Sequence, residues 1–245
     1  MLIPRAAVVL LAALLVAGTT ARLGLWQLDR AAQKTGLQAA QQRLRALPPL
    51  ALADLARTAE AAVQQQHRLA ELQGTWLAEH TIYLDNRPME GHPGFYVVTP
   101  LRLADGSAVL VQRGWLPRDF AQRTHIVAPP TPAGATVVRA RIAPALPRLY
   151  EFSAAASGPI RQNLDIGDFA RERALPLRPL ALLQVDGAEP SADGLLRQWQ
   201  QPDANVHMHY GYALQWFALC ALTTGLYVWF QLIRPRLATR RAAGR

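Results

Sequence analysis

From Tyr210 to Ile233 the chain carries no Asp, Glu, Lys or Arg, within the stretch HMHYGYALQWFALCALTTGLYVWFQLIRPR. At about 1.5 Å of rise per residue, that uncharged run makes a helix about 36 Å long. A bilayer core of about 30 Å is crossed by such a length. A second apolar run, AAVVLLAALLVAGTTA from Ala6 to Ala21, opens the chain and continues as RLGLWQL. It spans a membrane if Arg22 extends its guanidinium outward and Leu23 to Leu28 lie in the interface, with Trp26 as an anchor. The competing reading is a cleaved secretory signal, with Arg5 as its charged region and Thr19-Thr20-Ala21 as the cut. Hydrophobicity that continues past Ala21 favours the span.

Charge sets the orientation. The tail after the second run holds Arg234, Arg236, Arg240, Arg241 and Arg245 and no acid, whereas all seventeen Asp and Glu lie between the two runs. Positive-inside bias then puts both termini in the cytoplasm and the middle of the chain outside it. The organisation expected is a short cytoplasmic N-terminus (1–5), a first transmembrane helix (6–28) and an extracytoplasmic β-rich domain (29–207). A second transmembrane helix (208–233) and a basic cytoplasmic tail (234–245) complete it. The chain is expected in the cell inner membrane, multi-pass, with its middle in the periplasm or an equivalent extracytoplasmic space. The net charge of +9 is read as a topology signal, not as a nucleic-acid footprint. Cys220, the one cysteine, lies inside the second run, so the exported domain has neither a disulfide nor a thiolate copper site.

Between the runs the pattern changes twice. QLDRAAQKTGLQAAQQRLRAL, with spaced leucines, predicts that the first helix continues out of the membrane and ends at Pro48-Pro49. ALADLARTAEAAVQQQ predicts a second short helix. Then HRLAELQGTW, TIYLDNR, GFYVVTPLRL, SAVLVQRGWL, ATVVRARI and ALLQVD are short β-rich segments parted by turn residues. Asp105-Gly106 between two of them signals a hairpin. LDIGDFARERA predicts a brief helix capped by Asp165. The fold class expected is an α+β membrane protein: two transmembrane helices flanking a domain built on a small antiparallel β-barrel or sandwich with a few helices.

No G-x-S-x-G elbow, P-loop, dinucleotide fingerprint or H-E-x-x-H occurs, so no enzyme is expected. Ser153 and Ser157 read as loop. Asp85-Asn86-Arg87 reads as a turn closing a strand, and Arg113-Gly114-Trp115 as a bend or packing feature. The second run says more. With His209 on a helix, Tyr212 follows one turn on and Trp216 two turns on, leading to Cys220. That face suits a planar apolar cofactor, imidazole to iron and rings against the macrocycle; on periodicity alone, interfacial anchoring of His209 and Tyr212 is the favoured reading. His207 and His209 could share an ion only on an extended segment. Ala13 with Ala17, and Ala221 with Gly225, are spaced for a helix–helix contact.

Four blocks in order carry a resemblance: LGLWQLDR after the first run, GTW with LDNRP and GHPGFYVVTPL, DGSAVLVQRGWLPR, and HYGYALQWF at the second run. Together they resemble the surfeit locus protein 1 family of cytochrome c oxidase assembly factors. The resemblance covers nearly the whole chain, departing at Ala51 to Gln66 and around Arg161 to Phe169. It implies a chaperone that binds haem a and assists its insertion into the largest oxidase subunit. The haem a synthesis machinery is a further candidate partner, with membrane lipid around the spans and no nucleic acid. His209 matches the family's suggested axial ligand to haem iron; Tyr212 and Trp216 belong to the same motif. Gly94 matches a glycine implied in haem retention. Beyond what the resemblance implies, Arg22 could pair with the haem propionates at the outer interface, with an extended interfacial anchor as the simpler reading. The alternative is a cofactor-free scaffold that stabilises an oxidase assembly intermediate by protein contacts.

Overall fold

Alternation decides the middle of the chain. In β1 (Leu69–Trp76), Ala70, Leu72, Gly74 and Trp76 are buried while Glu71, Gln73 and Thr75 are exposed, the period of a strand with one face on a core. β3 (Gly94–Leu103) and β4 (Ala108–Pro117) are buried almost throughout, which requires cover on both faces. The computed structural model describes residues 4–119, 126–150, 158–186, 193–199 and 206–243, and supplies that cover. Ser153 and Ser157 lie outside the described residues. The chain divides into two compact units, Gln41–Gln201 and Met1–Ala40 with Pro202–Arg245.

In the first unit, β5 (Ala135–Ala143) and β7 (Leu177–Gln184) join β1, β3 and β4 in the order β1-β5-β7-β4-β3. A further pairing of β3 with β1, Gly74 opposite Leu103 and Trp76 opposite Leu101, closes the ring. The result is a closed five-stranded barrel, with β5-β1-β3-β4 as a Greek key and β7 filling the gap. It is the barrel, not the sandwich, of the two expected forms. One pairing, β4 with β7, is parallel, the others in the ring antiparallel. A parallel neighbour needs a crossover, and the chain between Pro117 and Leu177 provides it through β5, β6 (Ile160–Arg161) and α3 (Ile166–Arg173). Gly74 makes closure possible: a Cβ there would lie 2.5 Å from the Arg102 carbonyl oxygen. Leu72, Leu101, Val109, Val111, Val138, Leu180 and Leu182 fill the interior. Outside it, the short β2 (Ile82–Leu84) and Phe169 of α3 pack on Val98, Leu110 and Ala181.

Local signals act as expected at several places. Gly106 adopts φ +83° in the β3–β4 turn, where Asp105 Oδ1 accepts from the Ser107 amide. Asp165 caps α3, accepting from the amides of Gly167 and Asp168. The predicted helix over ALADLARTAEAAVQQQ is instead two pieces, a 3₁₀ turn at Leu52–Asp54 and α2 (Ala59–Gln64). Thr58 divides them, its hydroxyl accepting from the Ala61 amide as a new N-cap.

The second unit is helical. α1 (Arg5–Ala46) runs unbroken for 42 residues and stops two residues before Pro48. α4 (Val206–Tyr227) passes through a widened π turn at Val228–Ile233 into α5 (Arg234–Ala243). The π turn lies just before Pro235, whose ring would crowd the Gln231 carbonyl in a regular α-helix. Arg5–Ala46 and Val206–Thr239 are both long and apolar enough to cross a membrane. They meet antiparallel: Ala17 lies beside Cys220, Gly24 beneath the Phe217 ring and Gln27 beside His209. Ala13, Ala17, Thr20, Gly24, Gln27 and Ala31 of α1 are buried or half-buried and step alternately by four and three. His209, Ala213, Trp216, Cys220, Thr223 and Tyr227 do the same on α4. That average period of about 3.5 residues is a coiled-coil seam. Ala221 and Gly225 are exposed, so the small pair expected on the second helix is off the seam. Ala13 and Ala17 are on it.

Candidate cofactor site

His209 stands in the first turn of α4, half-buried, on the seam. Its Nδ1 lies 2.7 Å from Gln27 Oε1 of α1. An amide oxygen only accepts, so Nδ1 donates and the ring's lone pair is on Nε2. Trp216, two turns further, lies on the same stripe and is half-buried; Ala213 between them is closed off at 2 % exposure. Tyr212 is 47 % exposed on the flank of that stripe. Arg22 is exposed on α1, about 200° round the helix from Gly24 and the seam. His207 is exposed and, two residues from His209 on a helix, points about 200° away. The pair therefore does not share an ion, and no group of three or more His, Cys, Asp or Glu suited to a metal occurs among the described residues.

His209, with Gln27 behind it, would suit ligation of a haem iron. The candidate donor is an imidazole with Nδ1 engaged by an acceptor and, among the described residues, no hydrogen-bond partner on Nε2, the arrangement by which proteins aim a histidine at a metal. Below it the stripe packs against α1 at Ala213 and Cys220, with Trp216 half-buried between them and Tyr212 exposed on its flank. Gln27 was not among the residues singled out in the sequence. Its signal was there: a long polar side chain three residues after Gly24, at a seam position of a stripe otherwise made of alanine, glycine and threonine.

Gly94 belongs to the barrel unit. A Cβ on it would lie 2.2 Å from the Leu116 carbonyl oxygen and 2.4 Å from Trp115 Cε2. Trp115 Nε1 donates to the Arg87 carbonyl at 2.7 Å, and the Arg87 amide donates to the Gly94 carbonyl at 3.0 Å. Arg118 pairs with Asp85 and its guanidinium covers the Phe95 ring. The loop from Asp85 to Gly94 is thus clamped to the end of β4. Arg87 is buried and donates to the carbonyls of Pro147 and Gln162; burial pushes its pKa below the usual guanidinium range. Arg113 is also buried, bonded to Thr131 Oγ1 and the Pro130 carbonyl and stacked over Trp76 at 4.9 Å. Arg113 is a packing feature, as its sequence context implied; Arg87, read as part of a turn, is a buried residue that ties that turn to the chain at Pro147 and Gln162.

Two membrane-capable helices joined along a polar-tipped seam, with a Greek-key barrel between them in the sequence, define a membrane-associated protein with a candidate ligand-bearing histidine. A profile described as the SURF1 family matches residues 14–221. The chain belongs to the SURF1 family, a family of oxidase assembly factors and not of enzymes. A SURF1-like protein of Rickettsia felis is 30% identical over 107 residues, an alignment covering 43% of this chain and 43% of that relative. The chain therefore spans less than half the length of the curated relative it matches.

Proposed function

We propose that this protein is a two-span assembly factor of the cell inner membrane that holds haem a through His209 Nε2 and assists its insertion into the largest subunit of cytochrome c oxidase. Family membership supports the assembly role. The observation that carries the haem reading is His209, set at the start of a membrane-capable helix with Nδ1 occupied by Gln27. In this reading the spans are 6–28 and 208–233, both termini are cytoplasmic and the barrel is periplasmic; the arginines of the tail support that sidedness. When bound, the haem supplies an iron centre and a large apolar macrocycle. The chain's own residues do the rest: His209 ligates and orients, and the rings of exposed Tyr212 and half-buried Trp216 offer apolar surface, while Arg22, on the far side of α1 from the seam, takes no part at His209. The barrel docks the oxidase subunit or the haem a synthesis machinery by its surface side chains.

The test is an optical spectrum of the full chain purified from cells that make haem a. Wild-type protein is expected to carry haem, His209→Ala to lose it while still partitioning to membranes, and His207→Ala to keep it. Colourless wild-type protein would establish the cofactor-free scaffold instead, and full haem in His209→Ala would move the ligand elsewhere.

A further inference from the structure

We infer that Gln27 is the positioning residue for His209: its amide oxygen fixes the imidazole tautomer and aim that present Nε2 to iron. The inference rests on the haem reading above and adds a residue to it.

Three observations carry it. Gln27 Oε1 and His209 Nδ1 are 2.7 Å apart, so the bond is short and direct. The oxygen cannot donate, which leaves Nδ1–H as the donor and excludes the tautomer with its lone pair on Nδ1. Gln27 is itself placed by packing: Gly24, one turn earlier, lies under the Phe217 ring, where a Cβ would come 2.8 Å from Cε1. That contact sets the register of α1 against α4 and brings position 27 to position 209. An acceptor on the remote ring nitrogen also raises the donor strength of the ligating one. Gln27 would therefore influence both how firmly iron is held and its reduction potential. A plain interhelical hydrogen bond between these side chains would join the helices without touching the iron's electronics.

The experiment uses the full chain purified with haem a, comparing wild type, Gln27→Leu, Gln27→Glu and His209→Ala. The readouts are haem per chain, the rate at which haem a passes to excess apomyoglobin, and the midpoint potential. Removing the acceptor in Gln27→Leu is expected to speed haem loss about 10- to 100-fold. Gln27→Glu keeps an acceptor at the same place, so it is expected to retain haem at wild-type stoichiometry. Its carboxylate accepts more strongly, favours ferric iron and lowers the midpoint potential. Wild-type retention and potential in Gln27→Leu would overturn the inference while leaving the haem reading intact. An unmoved potential in Gln27→Glu would also overturn it, reducing the contact to a structural bond. Undiminished haem in His209→Ala would instead sink the haem reading itself. Gln27→Glu reports through the potential even if Gln27→Leu fails to assemble.

Discussion

Gly94 shows how a single hydrogen in place of a side chain can hold a loop. The Leu116 carbonyl and the Trp115 ring both approach it closer than any Cβ tolerates. Gly94→Ala must push β3 from β4, and is expected to destabilise the protein by about 1–3 kcal/mol, read as a lowered melting temperature of the purified chain in detergent. Haem per folded molecule should not change, because the damage is to barrel packing. A variant that melts like wild type yet loses haem would give Gly94 a direct part in retention. The glycine was visible in GHPGFY, but its reason was not. Trp115 arrives across the β3–β4 hairpin, and the register that brings it there includes a bulge at Val97/Val98. Gln27 escaped for a similar reason: its partner is His209, far along the chain, and only the helix pairing joins them.

At the scale of elements, local chemistry was readable and register was not. Asp105-Gly106 and the Asp165 cap announce themselves within four residues. The small pair Ala221 and Gly225 misled because a spacing of four does not say which stripe of a helix meets a neighbour. The observed seam uses Cys220 and Thr223 instead. Its register makes a prediction. A cysteine replacing Ala17 faces native Cys220, whose Sγ lies 3.4 Å from the Ala17 carbonyl oxygen, and a short bismaleimide should bridge the two within one chain. Gly24→Leu forces Phe217 off α1 and should cut that cross-link severalfold, measured by mass spectrometry. An unchanged yield would mean that the helices meet by another register.

For the whole molecule, the ion pairs of the barrel unit set a floor for acid tolerance. Asp105 is held at about 2 by the Ser107 hydroxyl, with Arg178 adding to the effect. It also pairs with Arg57, so one carboxylate ties the β3–β4 turn to β7 and to the segment before α2. Glu172 is lowered in the same direction by Arg161. A carboxyl whose folded pKa is depressed contributes stability above its ordinary pKa, 3.8 for Asp105, and that contribution fades as pH falls toward the folded value. Melting temperature is therefore expected to hold from neutrality to about pH 4.5 and then fall. Asp105→Asn should lower the plateau and flatten the slope between pH 4 and pH 2. An equal slope in both proteins would remove Asp105 from the account.

Closure of the barrel has a last effect. Each of its five strands is hydrogen-bonded on both sides, and among the described residues the sheet continues only through β2 to the two-residue β6. Backbone groups that could template another chain are therefore nearly all spoken for. A visiting protein must be read by side chains and turns, which favours selective, reversible encounters. The same economy guards a domain tethered beside crowded neighbours against runaway strand-on-strand growth.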